Sequence, residues 1–254
     1  MKPVCLVIGA GAGIGGHVAE RFARAGYHAV LARRTGQEGL DARVARIEAA
    51  GGSASGRLLN VIEPGSVEAL VADIEAETGP IATAVYNLGA QIGDRALADT
   101  PMKAFERCWH LGTFGLYRLA SALCPLMEAR GEGTILVTSA TAAVRGNAGQ
   151  HAHAAAMGGR RMLCQSLNAE FAPKGIHVAH IVIDGSVDAP DTLGRMLGPE
   201  KFAALREEKG QDKDGLLLPE KVAESYFHLA TQHRSAWTHE LDLRAWSDRA
   251  WWNH

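Results

Sequence analysis

The first turn of this chain constrains its fold more than any other feature. A wholly apolar run, Val4–Ile8, passes straight into Gly9-Ala-Gly-Ala-Gly13-Ile-Gly15 and then into a helical pattern. Glycines between a buried strand and a helix allow a tight turn and close backbone approach. The helix start then offers free N–H groups to a phosphate. Strand, loop and helix stand where that chemistry needs them. The motif therefore reads as a pyrophosphate site at Gly9, Gly11, Gly13, Ile14 and Gly15 rather than as a bare glycine turn.

The rest of the chain repeats the alternation. Short apolar runs at Ala29–Ala32, Thr83–Asn87, Thr134–Ser139, His177–Ile183 and Glu240–Leu243, with a shorter one at Arg57–Leu59, predict strands. Most lack polar alternation, as expected of parallel strands covered on both faces. Between them Gly15–Ala25, Ser66–Glu77, Met102–Ala129, Ala154–Phe171 and Pro219–Thr231 read as helices. The order implies an α/β, Rossmann-like, doubly wound three-layer sandwich around a mostly parallel seven-stranded sheet. Its 254 residues suit one domain, 1–254. The one long irregular segment, 184–218, lies where a substrate lid is expected, beyond the carboxyl end of the sixth strand.

Composition narrows the partners. The formal charge is −2 with no basic stripe, so neither nucleic acid nor an anionic membrane is expected to bind. No apolar stretch is long enough to span a bilayer, and the N-terminal run is too short for a signal peptide. Cys5, Cys108, Cys124 and Cys164 lack metal-type spacing and read as free thiols in a reducing, cytoplasmic setting. His151 and His153 stand two apart, which does not suit one helical face, and no carboxylate follows at i+4. No metal site is expected.

The spacing of the glycine loop resembles the short-chain dehydrogenase/reductase family. So do Tyr86-Asn87-Leu88-Gly89 after the fourth strand, Asn60-Val61, and Ala169-Glu170-Phe171-Ala172-Pro173-Lys174-Gly175-Ile176. The resemblance spans nearly the whole chain. It implies nucleotide contacts at Asn60 and Val61 beside the adenine, and at Asn87, Leu88 and Gly89. Val187 falls in the turn Ile183–Asp188, which stands for the family's contact to the nicotinamide carboxamide, here without its proline and one residue longer. Ile8 and Asn60 replace a threonine and an aspartate of that pattern. A relative preferring NAD would carry a carboxylate at Ala32. Here Arg33 and Arg34 follow instead, and a guanidinium pairs with a 2′-phosphate, so NADP (NADPH) is expected.

The same resemblance makes the chemical end unusual. The family's tyrosine position falls on His153, its lysine on Met157, its serine on Ala140 and its asparagine on His110. A thioether carries no charge and donates no hydrogen bond. An imidazole, by contrast, titrates near neutrality and works as acid or base alone. His153 is therefore the first catalytic candidate. Ser139, one residue from the serine position, and His110 follow it.

Three readings result. The first is an NADP(H)-dependent oxidoreductase with a non-standard site, acting on an imine, an iminium or a conjugated enone. The aliphatic Leu216-Leu217-Leu218 of the lid points to a small, fairly apolar substrate. The second is a non-redox lyase or cyclase using His153. The third is an NADP-binding redox sensor without chemistry. Trp237, Trp246, Trp251 and Trp252 crowd the C-terminal end, and such apolar surface predicts a homodimer or homotetramer.

Overall fold

In a computed structural model, which describes residues 2–91, 93–210 and 213–253, seven strands form one sheet in the order β3-β2-β1-β4-β5-β6-β7. The strands are β1 Val4–Ile8, β2 His28–Arg33, β3 Ser53–Leu58, β4 Ile81–Tyr86, β5 Gly133–Ala140, β6 Ile176–Ile183 and β7 Glu240–Leu243. All six pairings are parallel, so the sheet is wholly rather than mostly parallel. Successive β1 residues serve opposite faces. Val4, Leu6 and Ile8 join one core, with Val67, Leu116 and Leu167 of the covering helices. Cys5 and Val7 join the other, with Val18, Phe22 and Tyr226. This two-sided burial is why the strand sequences show no polar alternation.

The covering helices are α1 Ile14–Arg24, α2 Gln37–Ala49, α3 Ser66–Glu77, α4 Met102–Trp109, α5 Gly115–Arg130, α6 His151–Phe171, α7 Arg195–Leu197, α8 Pro199–Lys209 and α9 Pro219–Ala230. Three of them, α2, α7 and α8, were not expected, and α7, three residues long, buries none of its side chains. Only Leu40 and Ile47 of α2, and only Phe202 of α8, are buried, so their apolar periodicity is too thin to read. The third strand starts at Ser53 rather than Arg57. Its serines bond the His28 ring at 2.7 and 3.0 Å and leave no apolar run. The segment 184–218 is largely helical rather than irregular, with Gln211 and Asp212 outside the described residues.

The single helix expected over Met102–Ala129 is interrupted by a π turn, His110–Phe114. A π turn lets carbonyls leave the i→i−4 ladder. The Leu111 carbonyl accepts from the Tyr86 hydroxyl at 2.6 Å. Gly115 makes that approach possible, because a Cβ there would sit 2.3 Å from the same hydroxyl oxygen.

The four cysteines are free and buried, and no helix of the described residues is long and apolar enough to cross a membrane. Within β6 lies a buried titrating group. His180, fully enclosed, meets Glu240 at 3.0 Å, and Glu240 also accepts from Arg161 at 2.7 and 2.9 Å. Desolvation outweighs the carboxylate and lowers the His180 imidazole to about 4. The fold therefore prefers neutral His180, while the unfolded chain takes up its proton near the ordinary value. Stability is full above about pH 6.5 and falls as pH drops toward 4. In urea titrations His180→Gln should flatten that slope by on the order of 2–3 kcal/mol. Identical acid slopes in the two proteins would refute this account.

Candidate active site

The strand order reverses between β1 and β4, and a cavity of about 920 Å³ opens at the carboxyl ends of the strands there. Gly9, Gly11, Gly13, Ile14 and Gly15 form one end of it. Gly9 has φ +94°, and a Cβ on it would stand 2.6 Å from the Asn87 carbonyl oxygen. The helix start behind the loop has no side-chain cap, so its N–H groups stay open to an anion. The loop is tied down from the sheet. Asn87 Nδ2 donates to the Gly9 carbonyl at 3.0 Å, and Thr138 Oγ1 donates to Asn87 Oδ1 at 2.8 Å. Tyr226 completes the chain with its hydroxyl 2.7 Å from Thr138 Oγ1.

Arg33, Arg34, Asn60, Val61, Leu88, Gly89 and Val187 line the same cavity. The Arg33 guanidinium lies over the first turn of α2, where Cβ atoms on Gly36 and Gly39 would each meet it at 3.3 Å. These residues fit a phosphorylated dinucleotide. They offer a cradle that a Cβ would fill, uncapped N–H groups and two guanidiniums at the end of β2. Among the described residues no cluster of His, Cys, Asp or Glu is suited to a metal.

At the other end His153, Ser139, Ala140 and Met157 line the cavity. Helix α6 begins at His151, three residues before the expected start, so His153 stands in its first turn. Its Nδ1 is buried without a partner. Burial lowers its pKa first and the nearby Arg160 charge lowers it further, while the Ala90 carbonyl opposes both. His153 is thus a neutral imidazole at neutral pH. Ser139 donates to Met157 Sδ at 3.8 Å. His110 does not line the cavity. Its ring meets Phe114 edge-on at 5.3 Å within the π turn.

Sequence reading missed Arg160. Its side chain is 1% exposed and lines the cavity. Nε donates to Gly112 O at 2.6 Å, Nη1 to Thr138 O, and Nη2 to Leu88 O at 2.8 Å and Leu111 O at 3.4 Å. The available signal was its spacing, seven residues after His153 and hence on the same helical face. Also missed were Gln91, Arg107, Asn147 and Gln150, which give the cavity a polar mouth. Leu216 and Leu217 do not face the cavity. Leu217 pairs with Val187 and packs in the core, so the sequence basis for an apolar substrate is removed.

The family model for short chain dehydrogenase matches residues 3–191. This chain belongs to the short-chain dehydrogenase/reductase family. It is 33% identical over 232 residues to the short-chain reductase protein NovJ of Streptomyces niveus, covering 90% of this chain and 87% of that one. It superposes on a short-chain dehydrogenase from Rhodopseudomonas palustris with a TM-score of 0.79 and 32% identity, over 95% of this chain and 98% of the other. It also superposes on an actinorhodin polyketide ketoreductase with NADPH, with a TM-score of 0.81 and 25% identity, over 96% of each chain.

The environment of His153 sets its titration. In an NMR titration its ring protons should give a midpoint below 6.5, because both burial and Arg160 oppose the cation. A midpoint at or above 6.5 would show that the ring is hydrated or paired.

Proposed function

We propose that this chain is an NADPH-dependent oxidoreductase that works without the family's tyrosine and lysine. One continuous cavity running from the glycine loop and Arg33 to His153 carries the reading. In it the loop amides hold the pyrophosphate, Arg33 and Arg34 hold the 2′-phosphate, Asn60 and Val61 flank the adenine, and Val187 meets the carboxamide. Bound NADPH would supply a hydride. Neutral His153 offers the acceptor one N–H or takes up one proton, and it is a weak acid in that state. Such a site suits an acceptor that needs little proton assistance, namely an imine, an iminium or a conjugated enone.

Two outcomes test the reading. Incubated with NADPH and a panel of imines, enones and ketones, the protein should oxidise the nucleotide with a member of the first two classes. His153→Ala should then lower kcat about tenfold, the share of one neutral hydrogen bond to the acceptor. Nucleotide oxidation with none of the panel would reject the proposal. It would favour binding without chemistry, a second reading supported by the uncharged Ser139–Met157 contact. For the nucleotide itself, Arg33→Ala should weaken NADPH binding at least tenfold while changing NADH binding little, as read by fluorescence titration. Equal losses for both would reject the 2′-phosphate role.

We also propose a homo-oligomer. Trp251 is tied inward, its indole donating to Asp242 at 2.9 Å and its backbone N–H to Asp184 at 3.0 Å. Trp246 and Trp252 are exposed. Paired Trp246→Ala and Trp252→Ala substitutions should lower the mass measured by light scattering, and an unchanged mass would exclude the tryptophan contact.

A further inference from the structure

The charge around the cavity has one sign. Arg33, Arg34, Arg107 and Arg160 line it, and among the described residues no aspartate or glutamate does. The first two arginines stand at the nucleotide end, beside Gly11 and Asn60. The other two stand at the end where His153 lies. Arg160 is the decisive one. Most surface arginines here have carboxylates, as Arg161 has Glu240 and Arg130 has Glu75. The buried Arg160 has four backbone carbonyls and the face of Tyr86, at 5.2 Å, and no carboxylate among the described residues. Carbonyl dipoles satisfy its N–H groups and leave its net charge in place. A buried cation without a counter-ion is costly, and negative charge developing in the cavity would offset that cost.

We propose that Arg160 is the fixed positive charge of this site, and that it selects an acceptor that is neutral on entry and anionic after reduction: a conjugated carbonyl rather than an iminium. The inference rests on the oxidoreductase reading above. An iminium would bring a third cation to Arg160 and Arg107 and lose its charge on reduction, so the field opposes its binding. A conjugated carbonyl receives the hydride, with its two electrons, at the β-carbon. The carbon–carbon π pair moves to oxygen as an enolate, water supplies a proton at the α-carbon, and the nicotinamide leaves oxidised. Negative charge thus appears where the field favours it. Across about 7 Å, at an effective dielectric of about 20, a unit charge is worth a factor of tens in an equilibrium constant. Arg160 meets the carbonyls rather than the acceptor, so it is a positioning and field-setting residue. Position 157 places no cation on that face, because its side chain is a thioether.

The test has one arm without turnover. A nitrophenol stands in for the enolate, and its anion absorbs at longer wavelength than its acid. Titrated onto the protein with NADP present, it should ionise at lower pH than in solution. Arg160→Met should reduce the ratio of anion to acid at least tenfold at a given pH, and Arg160→Lys should keep most of it. If Arg160→Met fails to fold, the wild-type shift against free nitrophenol and the Arg160→Lys ratio decide. A nitrophenol that stays acidic on the wild-type protein, or does not bind, overturns the proposal. The second arm compares a cyclic enone with the iminium of the same ring size, and the enone should be reduced at least tenfold faster. Faster iminium reduction overturns this inference and leaves the oxidoreductase reading standing. If neither is reduced, that reading falls and this inference falls with it.

Discussion

The site depends on where the carbonyls of one π turn go. The turn at His110–Phe114 opens the helical ladder inside the protein, where an unpaired carbonyl would be costly. Tyr86 from the sheet takes the carbonyl of Leu111, and Arg160 from α6 takes that of Gly112. Arg160 also reaches the Leu88 and Thr138 carbonyls, at the ends of the two central strands. One side chain therefore joins α6, the π turn and both strand ends that floor the cavity. The glycine loop is fixed to the same two strands through Asn87 and Thr138, so both ends of the cavity share one foundation.

Most of the glycine-loop end of the cavity was legible in the sequence. Glycines in a turn and β-branched runs in strands are local requirements, and each leaves a short signature. The family pattern supplied lining positions that spacing alone does not, such as Asn60 and Val187. The end of the cavity at His153 was legible only as a set of absences. Met157 and Ala140 say what is missing. Arg160 follows two glycines and precedes another arginine, and that composition reads as a solvated helix face. Its burial depends on the π turn, which no local periodicity announces. The leucines at 216–218 misled for the converse reason. An apolar run in a presumed lid looks like a substrate surface, but Leu217 was needed to close the core over Val187.

His153 shows how position changes the meaning of a residue. A histidine in the first turn of a helix faces the positive end of the backbone dipoles. This one is also buried and stands on the same face as a guanidinium. Each influence acts against the imidazolium. The arrangement turns a residue usually thought of as a proton donor into a neutral polar contact. It leaves the positive charge of the site to a group that does not titrate near neutrality.

The π turn also governs the cavity through length. It holds one residue more per turn than an α-helix would, so everything in α4 is rotated by roughly 100° relative to α5 compared with an unbroken helix. That rotation decides which α4 side chains look toward the cavity, Arg107 among them, and which look toward Ala90, where Cys108 sits. The shape of this end of the cavity is thus encoded partly as a residue count. A single-residue insertion or deletion in this stretch would remodel it more than most substitutions of its lining.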